Sequence, residues 1–273
     1  MGDYDRALAD YGRAIGTNPK FPIYFWNRGN VYRVKGDYDR AIRDYDQAIA
    51  LNAQYAEAYV NRGLAYLGKQ DYSRALADYE QAIKLAPNLA DTYSYRAALE
   101  LTQGAFEHAL ADYSRVIELQ PKNAAAYWSR GVTELYFGVS ARGIDDLATS
   151  VRLVPSAPYS VLWLHIARMR AGEDDTSEYA ANAARLDPKQ WPWPVVALFL
   201  GTSSAAELHA AALTAGDPNT RRQQTCEADF YTGIYLQQRA AAAEARAAFQ
   251  SAADGCPNTL TAQGAKLELQ RLR

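Results

Sequence analysis

The chemistry-capable residues of this 273-residue chain are few and scattered. His108, His165 and His209 are its only imidazoles, and no two stand four apart, the spacing that puts a metal-ligating pair on one helix face. Gly63 to Lys69 reads G-L-A-Y-L-G-K and superficially resembles a phosphate-binding loop, but Gln70 stands where Ser or Thr would hold magnesium. No Gly-x-Ser-x-Gly elbow occurs, and the only two cysteines, Cys226 and Cys256, are not disposed as a nucleophile with a nearby base. The sequence therefore predicts no catalytic residue, no metal and no cofactor, and a protein that binds without making or breaking bonds.

A second group of residues is periodic. Arg28, Arg62, Arg96 and Arg130 recur at one position, and Asp10, Asp44, Asp78, Asp112 and Asp146 at another. A matching acid for every arginine argues for internal ion pairs over a basic stripe that binds an acidic ligand. Gly29, Gly63 and Gly131 share the same 34-residue register, as do Ala41, Ala75 and Ala109. In the unit 56–89, Tyr59, Gly63 and Tyr66 precede a turn around Lys69 to Asp71, and Ala75, Tyr79, Ala82 and Pro87 follow. Such spacing predicts two amphipathic helices that approach closely at the small residues, with the tyrosines filling the space beside them.

A 34-residue helical hairpin with aromatic, Gly, Tyr, Ala, aromatic, Ala and Pro at these offsets resembles the tetratricopeptide repeat. The resemblance implies an all-α, right-handed superhelical solenoid of helix-turn-helix hairpins, because no unit can bury its apolar stripe alone. Residues 1–188 read as the solenoid, with a half repeat at 2–21, repeats at 22–55, 56–89, 90–123 and 124–157, and a degenerate unit at 158–188. Residues 189–225 break the period as a helical insertion outside the repeat. Residues 226–273 return as one hairpin plus a capping helix. The chain opens on the turn and second helix of a unit, so an upstream segment is expected, whether a signal, a lipobox or a catalytic domain. The half unit also leaves a face near Tyr4 and Tyr11 on which a second copy could pair.

First-helix positions between the packing residues should line the inner face of such a solenoid. They are Trp26, Asn30 and Arg33, then Val60, Leu64 and Leu67, then Ser94, Ala98 and Leu101, then Trp128, Val132 and Leu135. Aromatic and aliphatic side chains on a concave surface suit a peptide or an amphipathic helix; curvature that hides some of them in the core is the alternative. Some tetratricopeptide domains grip a C-terminal carboxylate with repeated Lys and Asn at these positions, but Trp26, Val60 and Ser94 occupy the lysine places here, which disfavours that ligand. The ladder should run between hairpins, each first helix pairing with the second helix before it. Cys226 and Cys256 fall at the two ends of one antiparallel hairpin, where either a bridge that stabilises by about 3 to 4 kcal/mol or two buried thiols would fit. A bridge would imply an oxidising compartment.

From Tyr159 onward the chain resembles NlpI-type lipoproteins, on Leu162, Trp163 and Leu164, then Gln190, Trp191, Pro192 and Trp193, then Leu198 to Gly201, then Glu227, Ala228, Asp229, Phe230, Tyr231 and Gly233. That resemblance implies a bacterial adaptor of cell-wall enzymes or of an envelope protease, a homodimer, and an outer-membrane-anchored or periplasmic address, with the cytoplasm as the alternative. The rival function is a regulatory or oligomerisation module of a larger enzyme. Net charge is -2, which gives no reason to expect nucleic acid as partner. No apolar run reaches the roughly 20 residues needed to span a bilayer.

Overall fold

The computed structural model describes residues 2–137, 140–256 and 259–272. Among the described residues there are sixteen α-helices and no strand. They are α1 (Gly2–Thr17), α2 (Pro22–Val34), α3 (Tyr38–Leu51), α4 (Ala56–Gly68), α5 (Tyr72–Leu85), α6 (Ala90–Thr102), α7 (Phe106–Leu119), α8 (Ala124–Phe137), α9 (Ser140–Leu153), α10 (Pro158–Ala171), α11 (Thr176–Ala183), α12 (Trp193–Phe199), α13 (Ala205–Ala212), α14 (Pro218–Gln238), α15 (Ala242–Gly255) and α16 (Leu260–Arg271). Two compact units partition the chain: Met1–Leu99 with Glu118–Gln120, and Glu100–Ile117 with Pro121–Arg273.

In the first unit each hairpin is stitched the same way. The carboxylates of Asp37 and Asp71 accept the backbone N–H groups of Arg40 and Arg74, which caps α3 and α5 where helical N–H groups lack partners. A methyl at Gly63 would lie 2.7 Å from the Tyr79 ring, and one at Gly29 would lie 2.8 Å from Tyr45. Glycine is therefore what lets α2 meet α3 and α4 meet α5 at ring contact. Tyr45, Tyr79 and the alanines around them have no exposed surface. Their cores remain small and separate, Tyr45 with Ala41 and Ala65, Tyr79 with Ala75, Tyr66 and Leu99.

Ion pairing departs from the expected ladder. Arg28 donates from Nε and Nη2 to the Asp44 carboxylate at 2.8 and 2.7 Å, Arg62 to Asp78 at 2.9 and 2.6 Å, and Arg130 to Asp146 at 2.7 and 2.8 Å. Each pair spans 16 residues, so it joins the two helices of one hairpin and not one hairpin to the helix before it. Where first and second helices cross at a glycine, the arginine one residue before that glycine is brought over the acid of its own hairpin. Reaching back to the preceding second helix is a separate contact, made by Arg62 Nη1 to Asp46 at 2.6 Å and by Arg130 Nη1 to Ser114 Oγ at 3.0 Å. Asp10 pairs with Arg13 on its own exposed helix. Arg96 sets its guanidinium 5.9 Å from the Tyr93 ring, and Asp112 is buried.

Among the described residues, the second unit holds a large continuous core. It runs from Leu147 and Val151 through Leu162, Trp163, Ile166, Val196, Leu198 and Leu208 to Phe230, Ile234, Phe249 and Ala265. The Gly and aromatic device persists here, since a methyl at Gly233 would stand 2.6 Å from Phe249. The insertion contributes α12 and α13 to this core. The latter is fixed by a capping box in which Ser204 accepts from Glu207 N–H and Glu207 accepts from Ser204 N–H. One expected boundary is wrong: α14 starts at Pro218 rather than Cys226. Asp217 caps it and Pro218 sits at its first turn, where a missing N–H costs nothing, so the helix gains two turns. Cys226 and Cys256 are joined by a disulfide with a sequence separation of 30.

Candidate functional site

The histidines have structural partners. His165 Nδ1 lies 2.8 Å from Asp175 Oδ1 and the ring stacks on Tyr179 at 4.0 Å; His209 Nε2 lies 2.7 Å from Asp229 Oδ1. His108 Nδ1 stands 3.7 Å from Glu100. Gln70 terminates a helix at φ 60° and cradles no anion-binding loop. Among the described residues no group of three His, Cys, Asp or Glu is placed to hold a metal ion, and no helix is long and apolar enough to cross a membrane.

A cavity of about 360 Å³ lined mainly by aromatic and aliphatic side chains lies in the second unit. Helical spacing builds its walls. Trp128, Val132 and Tyr136 lie at intervals of four on α8, Tyr159 and Trp163 on α10, and Gln223, Glu227 and Tyr231 on α14, so each helix turns one face inward. Leu101 at the end of α6 joins Phe106 and Tyr113 of α7, and Thr261, Gln263, Gly264 and Leu267 of α16 complete the rim. Ring packing orders the aromatics: Trp163 meets Tyr136 edge-on at 5.7 Å and Tyr231 at 6.2 Å, and Trp128 leans on Tyr159 at 6.4 Å. Burial pushes the Tyr113 phenol up to about 12 and that of Tyr159 higher still, with the Glu227 carboxylate adding to the effect, so both keep their protons at neutral pH.

Glu227 is the polar floor. Its Oε2 accepts from Tyr159 Oη and from Trp191 Nε1, each at 2.7 Å, and its Oε1 accepts from Gln223 Nε2 at 3.1 Å.

The chain's own last helix borders this cavity. Gln263 Nε2 donates to the Thr102 carbonyl at 3.0 Å, and Arg271 Nη2 donates to the carbonyls of Leu135 and Tyr136 at 3.2 and 3.1 Å. Glu268 is almost fully buried and accepts from Arg170 at 2.6 Å and from Arg271 at 3.0 Å. Helix α16 is thus more than a cover for the end of the stack, because it also lies against the ends of α6 and α8. Gly264 permits that approach, since a methyl there would be 3.1 Å from Phe230 and 3.2 Å from Tyr136 Oη.

Of the residues expected to line the groove, Leu101, Trp128 and Val132 meet at this cavity. Leu135 packs against the core of the second unit, and α16 covers its carbonyl. In the first unit Trp26 donates to the Glu57 carbonyl at 3.3 Å and packs on Tyr55 at 5.8 Å, while Asn30 accepts from Tyr45 Oη at 2.7 Å. Val60 is buried, Leu64 and Leu67 pack against the Tyr66, Tyr79 and Leu99 cluster, and Arg33 and Ser94 are half-buried. Curvature has put much of that row into contact between neighbouring helices. The residues the groove prediction missed are Tyr159, Trp163, Gln223, Glu227, Tyr231 and the α16 rim. A signal for some of them existed, because Tyr159 and Trp163 on α10, and Gln223, Glu227 and Tyr231 on α14, recur at intervals of four.

Models of the tetratricopeptide repeat match residues 1–42, 29–70, 56–89 and 98–133. Within residues 1–133 the chain carries tetratricopeptide repeats. Solved tetratricopeptide structures share the all-α solenoid fold. A tetratricopeptide repeat protein from Parabacteroides merdae superposes with a TM-score of 0.62 at 17% identity, over 90% of this chain and 98% of that one. A structure described as YrrB, "a TPR protein with an unusual peptide-binding site", gives 0.57 at 19% identity over 71% of this chain and 98% of that one. MamA gives 0.52 at 23% identity over 56% of this chain and 89% of that one. The tetratricopeptide matches end at residue 133, and the cavity is built largely from helices beyond it.

Proposed function

We propose that this protein is a non-catalytic interaction scaffold that holds a peptide segment or helix of another protein against the aromatic cavity of its second unit. The observation that carries the reading is the cavity itself: Trp128, Val132, Tyr136, Tyr159 and Trp163 line a partly open cleft of about 360 Å³. A cleft walled by aromatic and aliphatic side chains with a few polar groups among them is a feature of recognition surfaces. The peptide-binding description of YrrB agrees with the reading without carrying it, since the likeness extends to fold alone.

Within this proposal the partner belongs to the bacterial envelope, a cell-wall enzyme or an envelope protease. The support is the resemblance of residues 159–269 to NlpI-type lipoproteins, together with a disulfide suited to an oxidising compartment. A photo-crosslinking residue at Val132 tests both parts. Capture of one defined envelope protein at Val132, and none from a probe at the exposed Glu80, is the expected result. Equal capture at both positions, or crosslinks to a second copy of this chain alone, would sink the scaffold reading.

A further inference from the structure

Several buried carboxylates in this protein share an arrangement that Glu227 lacks. Asp44, Asp78, Asp146 and Glu268 each rest on a guanidinium. Glu227 is as buried as these, yet its three partners, Tyr159, Trp191 and Gln223, are neutral donors. No cationic side chain stands within 4 Å of it among the described residues. Taking an ionised carboxylate out of water without a counter-charge is costly, and neutral donors offset only part of that cost. Glu227 also faces the cavity, whose walls include the rings of Trp128, Tyr159 and Trp163; Tyr136, also in the wall, already has the guanidiniums of Arg170 and Arg271 at 5.8 and 5.5 Å from its ring. Aromatic faces carry negative quadrupole charge and attract cations, and more strongly where water is excluded. Carboxylate and rings therefore favour the same kind of guest, an apolar stem that ends in a positive charge.

We propose that this cavity receives a lysine or arginine side chain of the bound segment, its stem lying across the aromatic faces and its charged head on Glu227. The proposal rests on the scaffold reading above and names the anchor residue that reading leaves open. Oε1 receives only the Gln223 amide, so lone-pair capacity remains for the incoming donor. Arginine would engage through two N–H groups and lysine through one.

The test uses the full chain with its disulfide intact and follows the indole N–H resonances, because Trp191 reports on Glu227 and Trp128 and Trp163 on the walls. n-Butylammonium and n-butylguanidinium stand in for the two side chains, with 1-pentanol as the neutral match. Saturable shifts at least tenfold tighter for the cations than for pentanol are expected. Glu227→Gln should bring the cations down to the pentanol level and leave pentanol unchanged. Equal affinity for cations and pentanol in the unaltered chain overturns the proposal, and that comparison needs no variant to fold. If Glu227→Gln unfolds, Glu227→Asp withdraws the carboxylate by one methylene, and an unchanged cation preference there also overturns it. A second arm separates a peptide from a free amine: an acetylated and amidated Ala-Ala-Lys-Ala-Ala should bind more tightly than n-butylammonium, and the same peptide with Leu for Lys should not. Binding of the amine with exclusion of the lysine peptide overturns the assignment to a partner segment. A partner crosslinked at Val132 whose capture survives Glu227→Gln overturns the anchor and leaves the scaffold reading standing.

Discussion

The two units solve one packing problem on different length scales. In the first, the same short-range contacts recur from hairpin to hairpin: a glycine against a tyrosine ring, alanines beneath it, and an arginine on the aspartate 16 residues later. The result is several small cores, each supplied by neighbours in sequence. In the second, aromatic and aliphatic side chains from α8 to α16 merge into one core. Contacts there span the unit, among them Tyr159 with Glu227, 68 residues apart, and Arg170 with Glu268, 98 apart. A regular repeat thus distributes stability in equal parcels and leaves little room for a unique site. Loss of regularity concentrates large side chains and creates the irregular space in which a ligand can be distinguished.

The contrast can be broken where it is strongest. Phe249→Ala empties a fully buried ring site and should cost about 3 to 5 kcal/mol. Because the core is continuous, urea denaturation should show a whole second-unit transition moving to lower denaturant while a first-unit transition stays in place. A single shared shift would mean that the units do not unfold separately. Opening the Cys226–Cys256 disulfide, by reduction or by paired serine substitution, should remove about 3 to 4 kcal/mol from the same transition, the value for closing a loop of this length. Calorimetry with and without reductant would measure it.

In the first unit, Arg62→Met leaves Asp78 buried without its cation and should cost about 2 kcal/mol, discounted from the fully buried case because Arg62 is partly exposed. The pair Arg62→Met with Asp78→Leu should recover much of the loss, since an apolar pair of similar volume removes the orphaned charge. Failure to recover would mean that the guanidinium acts through its packing on Tyr59 and Tyr66, near which it lies at 5.4 and 5.9 Å. The smallest effect concerns acid. Hydrogen bonds from the side chains of Arg40 and Arg74, then from their backbone N–H groups, hold Asp37 and Asp71 below the usual carboxylate range. A depressed folded value means that the stabilisation is complete above the unfolded value of about 4 and fades as pH falls through the folded one. First-unit stability should therefore decline below about pH 4, and Asp37→Asn with Asp71→Asn should flatten that decline in a denaturation series from pH 6 to pH 2. Both caps are only half-buried, so added salt should weaken the effect further.

Legibility in the sequence followed the same divide. The hairpins, their glycine contacts and their tyrosine cores could be read from the 34-residue register because helical spacing and side-chain volume are local properties. Pairing of the arginines could be read as internal, but not its direction, since choosing between two aspartates on two helices depends on where the helices cross. The row from Trp26 to Leu135 was assigned to one groove on periodicity, and the structure gathers only Leu101, Trp128 and Val132 at the cavity. Trp26, Leu64 and Leu67 pack into small cores, Val60 is buried, Leu135 lies beneath α16, Arg33 and Ser94 are half-buried, and Ala98 is exposed. The early start of α14 has a local cause in Asp217 and Pro218, a capping acid followed by a proline in the first turn.

By itself the amino-acid sequence determined that this chain is helical, that its helices come in pairs, and where each pair meets, because period, propensity and size act between residues close in the chain. Only the tertiary structure decided that Glu227 would be buried among aromatic rings without a cation and that the last helix would return to the ends of α6 and α8. Those outcomes join residues separated by tens to more than a hundred positions, and the free energy that selects them is a property of the whole packed unit.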